Sequence, residues 1–230
     1  SLAEAEATGE SIEPADVHGS ATALLAFTSG TTGRPKGVPL SHANLLSSIR
    51  AAMLAWRWTA DDVLVHALPL SHQHGLGGVH ATLLAGSSAA IHAGFDAARL
   101  ARAVAAERAT VLFAVPAIYQ RLVGTEGIGG SAFASLRLAI SGSAPLSPAL
   151  FERAGELLGR FFFDGSGTTE SGLDTSNPYE GDRRPGSVGL PLPGDSMAIA
   201  NRAGMPLEPG SDGEIVLRGP SGEETFGSSS

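Results

Sequence analysis

Short apolar runs alternate with helical patterns from Ala21 to Phe163, and this constrains the fold more than any other feature. The runs are Ala21–Phe27, Val63–Ala67, Ser88–His92, Thr110–Ala114, Leu136–Ile140 and Phe161–Phe163, each of strand length. Between them lie helical patterns. Leu45, Ile49, Ala52, Met53 and Trp56 recur at helical spacing and predict a helix from about Ala43 to Trp56, with Ser41 placed to cap it. Further helices are predicted over Leu76–Leu84, Phe95–Glu107, Ala117–Val123 and Pro148–Leu158, the last with Ser147 as cap and proline at its first position. Trp56 and Trp58 read as packing residues. Alternation with short connections predicts an α/β fold: a mainly parallel, doubly wound sheet with helices on both faces. Ligands of such sheets sit beyond the C-terminal strand ends. The polar loops Thr28–Gly37, Ser71–Gly75, Ser141–Pro145 and Asp164–Glu170 all follow predicted strands. They are expected to gather on one edge and form a nucleotide-sized site.

The core is expected over residues 21–177, after a polar, acidic lead-in at 1–20. Beyond Asn177, prolines at 178, 185, 191, 193, 206 and 209 interrupt the chain. Val188-Gly189, Met197–Ala200 and Glu214–Leu217 read as short strands, so 178–220 is expected to be a partial β subdomain and 221–230 a disordered tail. With 43% apolar residues in 230, the chain can bury a sizeable core. A net charge of −8 argues against nucleic acid and anionic membranes as partners. The absence of cysteine excludes disulfides, thiolate metal sites and a cysteine nucleophile. No run is long and apolar enough to span a bilayer, and the first residues are acidic rather than basic, so a soluble cytoplasmic protein is expected.

The loop Thr28-Ser29-Gly30-Thr31-Thr32-Gly33-Arg34-Pro35-Lys36-Gly37 is dense in hydroxyls, glycines and cations. Glycines let backbone N–H groups approach an anion, hydroxyls add donors, and Lys36 supplies a point charge for phosphate oxygens. It is not a Walker loop, because Pro35 precedes the lysine and Gly37 stands where a hydroxyl is required. A phosphate cradle and a flexible Gly/Thr hairpin turn both fit the spacing. In Asp164-Gly165-Ser166-Gly167-Thr168-Thr169-Glu170-Ser171-Gly172, a carboxylate beside two threonine hydroxyls suits a magnesium ion bridging phosphates, and also suits a plain turn. Ser141-Gly142-Ser143-Ala144-Pro145 is a strand-to-helix turn with or without a ligand. His72 and His74, two residues apart with no carboxylate or cysteine nearby, form a weak zinc pattern. The remaining histidines are scattered and read as surface or packing residues.

These motifs together resemble the adenylate-forming superfamily of acyl-CoA synthetases, firefly-type luciferases and the adenylation domains of peptide synthetases. The similarity runs from about Leu24 to Pro220, with the motifs in family order. It implies that Thr28, Ser29, Gly30, Thr31, Thr32, Gly33 and Lys36 hold the β- and γ-phosphates of ATP. By the same resemblance Thr169 contacts the α-phosphate and Glu170 holds Mg2+, the two acting with His72 in catalysis. Ser141, Gly142, Ser143 and Ala144, with Gly165, Ser166, Gly167 and Thr168, would line the adenine side. His72 belongs to a Pro-Leu-x-His-x-His-Gly motif whose first histidine lines or gates the acyl pocket. The chain departs from the family at Ser166, where an aromatic usually stacks on adenine.

Val115-Pro116 with Tyr119-Gln120-Arg121, Thr175–Tyr179 and Arg183–Gly189 resemble the malonyl- and methylmalonyl-CoA synthetase branch. A dicarboxylic acid needs a cation for the carboxylate that does not react, and the guanidinium fork of Arg121 suits it. The resemblance implies a two-step reaction with ATP, Mg2+ and coenzyme A: a small carboxylic acid forms an acyl-adenylate, then a thiol displaces AMP. It also implies that the chain corresponds to a piece of the family's large N-terminal domain. The alternative is a non-catalytic nucleotide- or protein-binding module on the same fold. A face left uncovered by missing family segments would favour self-association.

Overall fold

The computed structural model describes residues 15–28, 35–159 and 162–220. The expected tail beyond 220, the first part of the lead-in and Phe161 lie outside these residues.

A seven-stranded sheet organises the molecule, in the order β4-β3-β5-β6-β7-β8-β9. Strands β3 (Val63–His66), β4 (Ser88–Ile91), β5 (Val111–Ala114), β6 (Leu138–Ser141) and β7 (Phe162–Ser166) are parallel. The two-residue strands β8 (Thr175–Ser176) and β9 (Leu190–Pro191) add antiparallel at one edge, so the sheet continues past Asn177. Helices α1 (His42–Trp56), α2 (Gln73–Ala85), α3 (Ala97–Ala106), α4 (Pro116–Gly124) and α5 (Pro148–Leu158) follow the predicted order. Ser41 caps α1 in a reciprocal box with Asn44, and Ser147 caps α5 ahead of Pro148.

From β3 the chain passes through α2 to β4 at one edge. It then returns past β3 to β5 and steps through β6 to β7 in the other direction. Right-handed crossovers turn this reversal into two helical layers, α2 on one face and α3, α4 and α5 on the other. The packing agrees. Helix α1 lies against α2, while α3, α4, α5 and the 3-10 turn Gly130–Phe133 lie against one another. The inner strands supply the centre of one core, where Leu64, Val65, Val111, Leu112, Leu138, Ile140, Phe162 and Phe163 are buried. Each such side chain stabilises the fold by about 1.5–3 kcal/mol through removal from water. Trp56 and Trp58 are packing residues, both meeting the Phe113 ring edge-on, at 5.4 and 5.6 Å between centroids.

The first strand differs from expectation. β1 (Thr22–Thr28) is not a buried member of the parallel sheet. It pairs antiparallel with β2 (Lys36–Ser41) in a separate two-stranded sheet, Thr28 opposite Lys36, and leaves Leu25 54% and Phe27 66% exposed. The connection is the reason. The stretch from Thr28 to Lys36 is too short for a crossover to a parallel neighbour, which takes about a dozen residues or more, but it closes a hairpin. β10 (Ser196–Ala200) and β11 (Glu214–Arg218) form a second antiparallel pair. Among the described residues no helix is long and apolar enough to cross a membrane.

Candidate active site

A cavity of about 560 Å³ opens where the strand order reverses, beyond the C-terminal ends of β3, β5 and β6. This is the position at which open α/β sheets bind ligands. Leu68, Pro69 and the start of α2 form one wall, Val115, Ser141, Gly142 and Ser143 a second, and Gly167, Thr168 and Thr169 a third. Helix α1 closes the fourth side with Leu45, Ser48, Ile49, Ala52 and Trp56. Three of the four predicted loops therefore meet in one place. Among the described residues the lining is formally uncharged, with His72, His74 and His80 as its titratable side chains.

His74 is the most constrained of these. Its Nδ1 lies 3.0 Å from Ser143 Oγ, and its ring leans on Phe113 with centroids 5.4 Å apart. Gly142 makes room for it: a Cβ there would stand 3.1 Å from His74 Cε1. Ser143 holds a left-handed conformation, φ 67°, which turns its hydroxyl toward the histidine. Burial, with the nearby His66, lowers the His74 pKa to about 4, so the imidazole is neutral at neutral pH. His66 ends β3 fully buried, and burial lowers its pKa as well, against the raising effect of a backbone hydrogen bond at Gly75. The Ser141 hydroxyl, on the cavity wall, is buried with no hydrogen-bond partner among the described residues. A ligand that reached it would satisfy an otherwise orphaned donor.

The third wall is a tight turn built on glycine. A Cβ at Gly167 would fall 1.9 Å from the Gly172 carbonyl oxygen, and Gly172 itself has φ 86°. The turn is tied to α1, where Ser48 Oγ accepts the Leu173 N–H at 3.1 Å. Thr169 faces the cavity, while Glu170 sits half-exposed on the turn beyond the lining. Among the described residues no three His, Cys, Asp or Glu side chains gather as a metal cage. One carboxylate beside threonine hydroxyls nevertheless suits Mg2+, which keeps waters and takes its remaining ligands from phosphate oxygens.

The structure does not bring every expected residue to this cavity. Ser29, Gly30, Thr31, Thr32 and Gly33 lie outside the described residues, and the exposed Lys36 begins β2. Ala144, Gly165 and Ser166 are not on the cavity wall. Ser166 ends β7 exposed, its N–H donating to Thr175 Oγ1 at 3.3 Å. Arg121 also departs from expectation: it lies on the exposed side of α4, its guanidinium 6.0 Å from the Phe95 ring centroid, and does not line the cavity. Conversely, the apolar 45-49-52-56 face of α1, which the spacing marks as a helical stripe, also walls the cavity. A helical apolar stripe carries no mark that separates the two uses.

Comparison with known proteins fits this geometry. The family model for AMP-binding enzymes matches residues 1–224, and the chain belongs to that family. The mitochondrial malonate–CoA ligase of Mus musculus is 33% identical over 86% of this chain and 40% of its own length. The oxalate–CoA ligase of Arabidopsis thaliana is 37% identical over 96% of this chain and 44% of its own. Among solved structures, ATP-bound MatB from Rhodopseudomonas palustris superposes with a TM-score of 0.87 at 39% identity, over 95% of this chain and 44% of that one. The chain thus spans less than half the length of these relatives.

Proposed function

We propose that this chain supplies the nucleotide and acid pockets of an AMP-forming acid–thiol ligase that converts malonate or a related small dicarboxylic acid to its coenzyme A thioester. The observation that carries the reading is the meeting of Gly167-Thr168-Thr169 with His74 and Ser143 across one cavity at the strand reversal.

Thr169 and the backbone N–H groups of its turn hold the α-phosphate, with the Thr168 hydroxyl on the phosphate side, while Ser141, Gly142, Ser143, Gly167 and the backbone of Thr168 take the adenine side. The hairpin connection from Thr28 to Lys36 steadies the outer phosphates. Glu170 holds Mg2+, which when bound offsets charge on the phosphates. His74, neutral and fixed by Ser143, hydrogen-bonds the entering acid through its second ring nitrogen without adding a charge that would trap the carboxylate. His72 lines the entrance for the acid. Arg121 serves the carboxylate that does not react, which requires its side chain to leave Phe95. Attack of the acid on the α-phosphate then gives acyl-adenylate and pyrophosphate, and coenzyme A displaces AMP. A cytoplasmic location is proposed with this activity, to be checked by fractionation of the source cells.

Calorimetric titration of the chain with MgATP tests the nucleotide half. Saturable binding is expected, weakened at least about tenfold in a Glu170→Ala, Lys36→Ala double variant. Equal binding by both proteins would refute the phosphate assignment. In the complete ligase, Arg121→Met is expected to raise KM for malonate and leave that for a monocarboxylic acid unchanged. An equal effect on both acids would remove Arg121 from the site.

A further inference from the structure

The turn that presents Thr168 contains a chain of hydroxyls ending on a buried carboxylate, and the proposed chemistry leaves it without a role. Asp174, 5% exposed, accepts a hydrogen bond on Oδ2 from Ser171 Oγ at 2.8 Å. Ser171 Oγ in turn lies 2.7 Å from Thr168 Oγ1, and Thr168 Oγ1 accepts the Ser171 N–H at 3.1 Å. The segment is anchored on both sides: the Asp174 N–H donates to the Ser166 carbonyl, and the Asp174 carbonyl accepts from the Leu192 N–H.

Counting protons decides the direction of the chain. A serine hydroxyl has one proton. While Ser171 gives it to ionised Asp174, the bond between Ser171 and Thr168 must be made with the proton of Thr168. Thr168 lines the cavity, so in this state it offers a ligand only a lone pair. If Asp174 is protonated, it can donate to Ser171 instead. Ser171 then donates to Thr168, and the Thr168 proton is released toward the cavity. An anion needs that proton and is repelled by the lone pair.

We propose that Asp174 is a positioning residue that couples binding of a phosphate-bearing ligand at Thr168 to the uptake of one proton. The proposal rests on the phosphate reading of the Gly167–Glu170 turn. The reversal is accessible near neutral pH. Burial pushes the Asp174 carboxyl up to about 6 against the lowering effect of the Ser171 bond, and Asp195 adds to the rise. Asp195 is the charged side chain that acts on Asp174, Glu170 lies on the same turn, and α1 meets the turn through the uncharged Ser48.

Titration calorimetry with MgATP in two buffers of different ionisation enthalpy, at about pH 6.5, counts the protons exchanged. ATP titrates in the same range, so the quantity read is the difference between wild type and Asp174→Asn. Wild type is expected to take up about half to one proton more per ATP bound, with the difference vanishing by about pH 5, where Asp174 is already protonated. Ser171→Ala, which breaks the chain without touching the carboxylate, is expected to abolish the extra uptake too. Saturable binding with equal proton counts in wild type and variants would overturn the proposal and leave the phosphate reading standing. No saturable binding by wild type at any pH would overturn both.

Discussion

At the residue scale, the cavity depends on a histidine kept neutral by its surroundings. Burial lowers the His74 pKa from 6.5 to about 4, so the folded protein binds fewer protons there than the unfolded chain between those values. His74 therefore contributes nothing to pH dependence above about pH 6.5 and destabilises the fold progressively as pH falls toward about 4. Discounted for a partly exposed ring, the loss is on the order of 2–3 kcal/mol. His74→Gln cannot take up the proton. Urea melts at about pH 7 and pH 4.5 are expected to show a smaller acid loss for His74→Gln than for wild type, by about 1–2 kcal/mol. Equal losses would mean that the imidazole is not desolvated. Asp164 behaves oppositely. Burial raises it to about 6, so its contribution to stability is present below about pH 4 and lost as pH rises through about 6, and it cannot imitate the histidine effect.

At the scale of elements, Arg137 joins the end of α1 to the sheet. Its guanidinium pairs with Asp62 and donates to the carbonyls of Trp56 at 3.0 Å and Arg57 at 2.9 Å, the last turn of α1. Burial works against the charge of Asp62, but hydrogen bonds from Arg137, Thr110 and the Thr59 backbone leave its pKa below the usual carboxylate value. Removing one partner strands the other. Arg137→Met is expected to destabilise the protein by about 3–5 kcal/mol at neutral pH, read from denaturant melts, whereas a change under about 1 kcal/mol would show the pair to be solvated. Most elements were legible from sequence because their signals are local: a serine cap, proline at N1, a helical stripe of apolar residues. The misreading of β1 was of another kind. The run Ala21–Phe27 is as apolar as a buried strand, and only its partner reveals the exposed hairpin.

At the scale of the whole molecule, that hairpin leaves Leu25 and Phe27 as an apolar patch on the outside of the protein. Such a patch favours self-association. Light scattering is expected to show the apparent mass rising with concentration, and a Leu25→Thr, Phe27→Thr variant remaining smaller with its melting temperature lowered by no more than a few degrees. A wild-type monomer at all concentrations would discount the patch. The alternation of apolar runs and helical stripes, read alone, determined the parallel α/β sheet, the order of its elements and three of the loops that meet at its edge. Each of these depends on residues close together in the chain. Tertiary structure alone decided that α1 walls the cavity, that His74 rather than His72 is the fixed histidine, that Arg121 faces Phe95, and that Asp174 is buried at the end of a hydroxyl chain. Those outcomes turn on which distant segments come into contact and on the dielectric they create together, and neither quantity is carried by any single stretch of sequence.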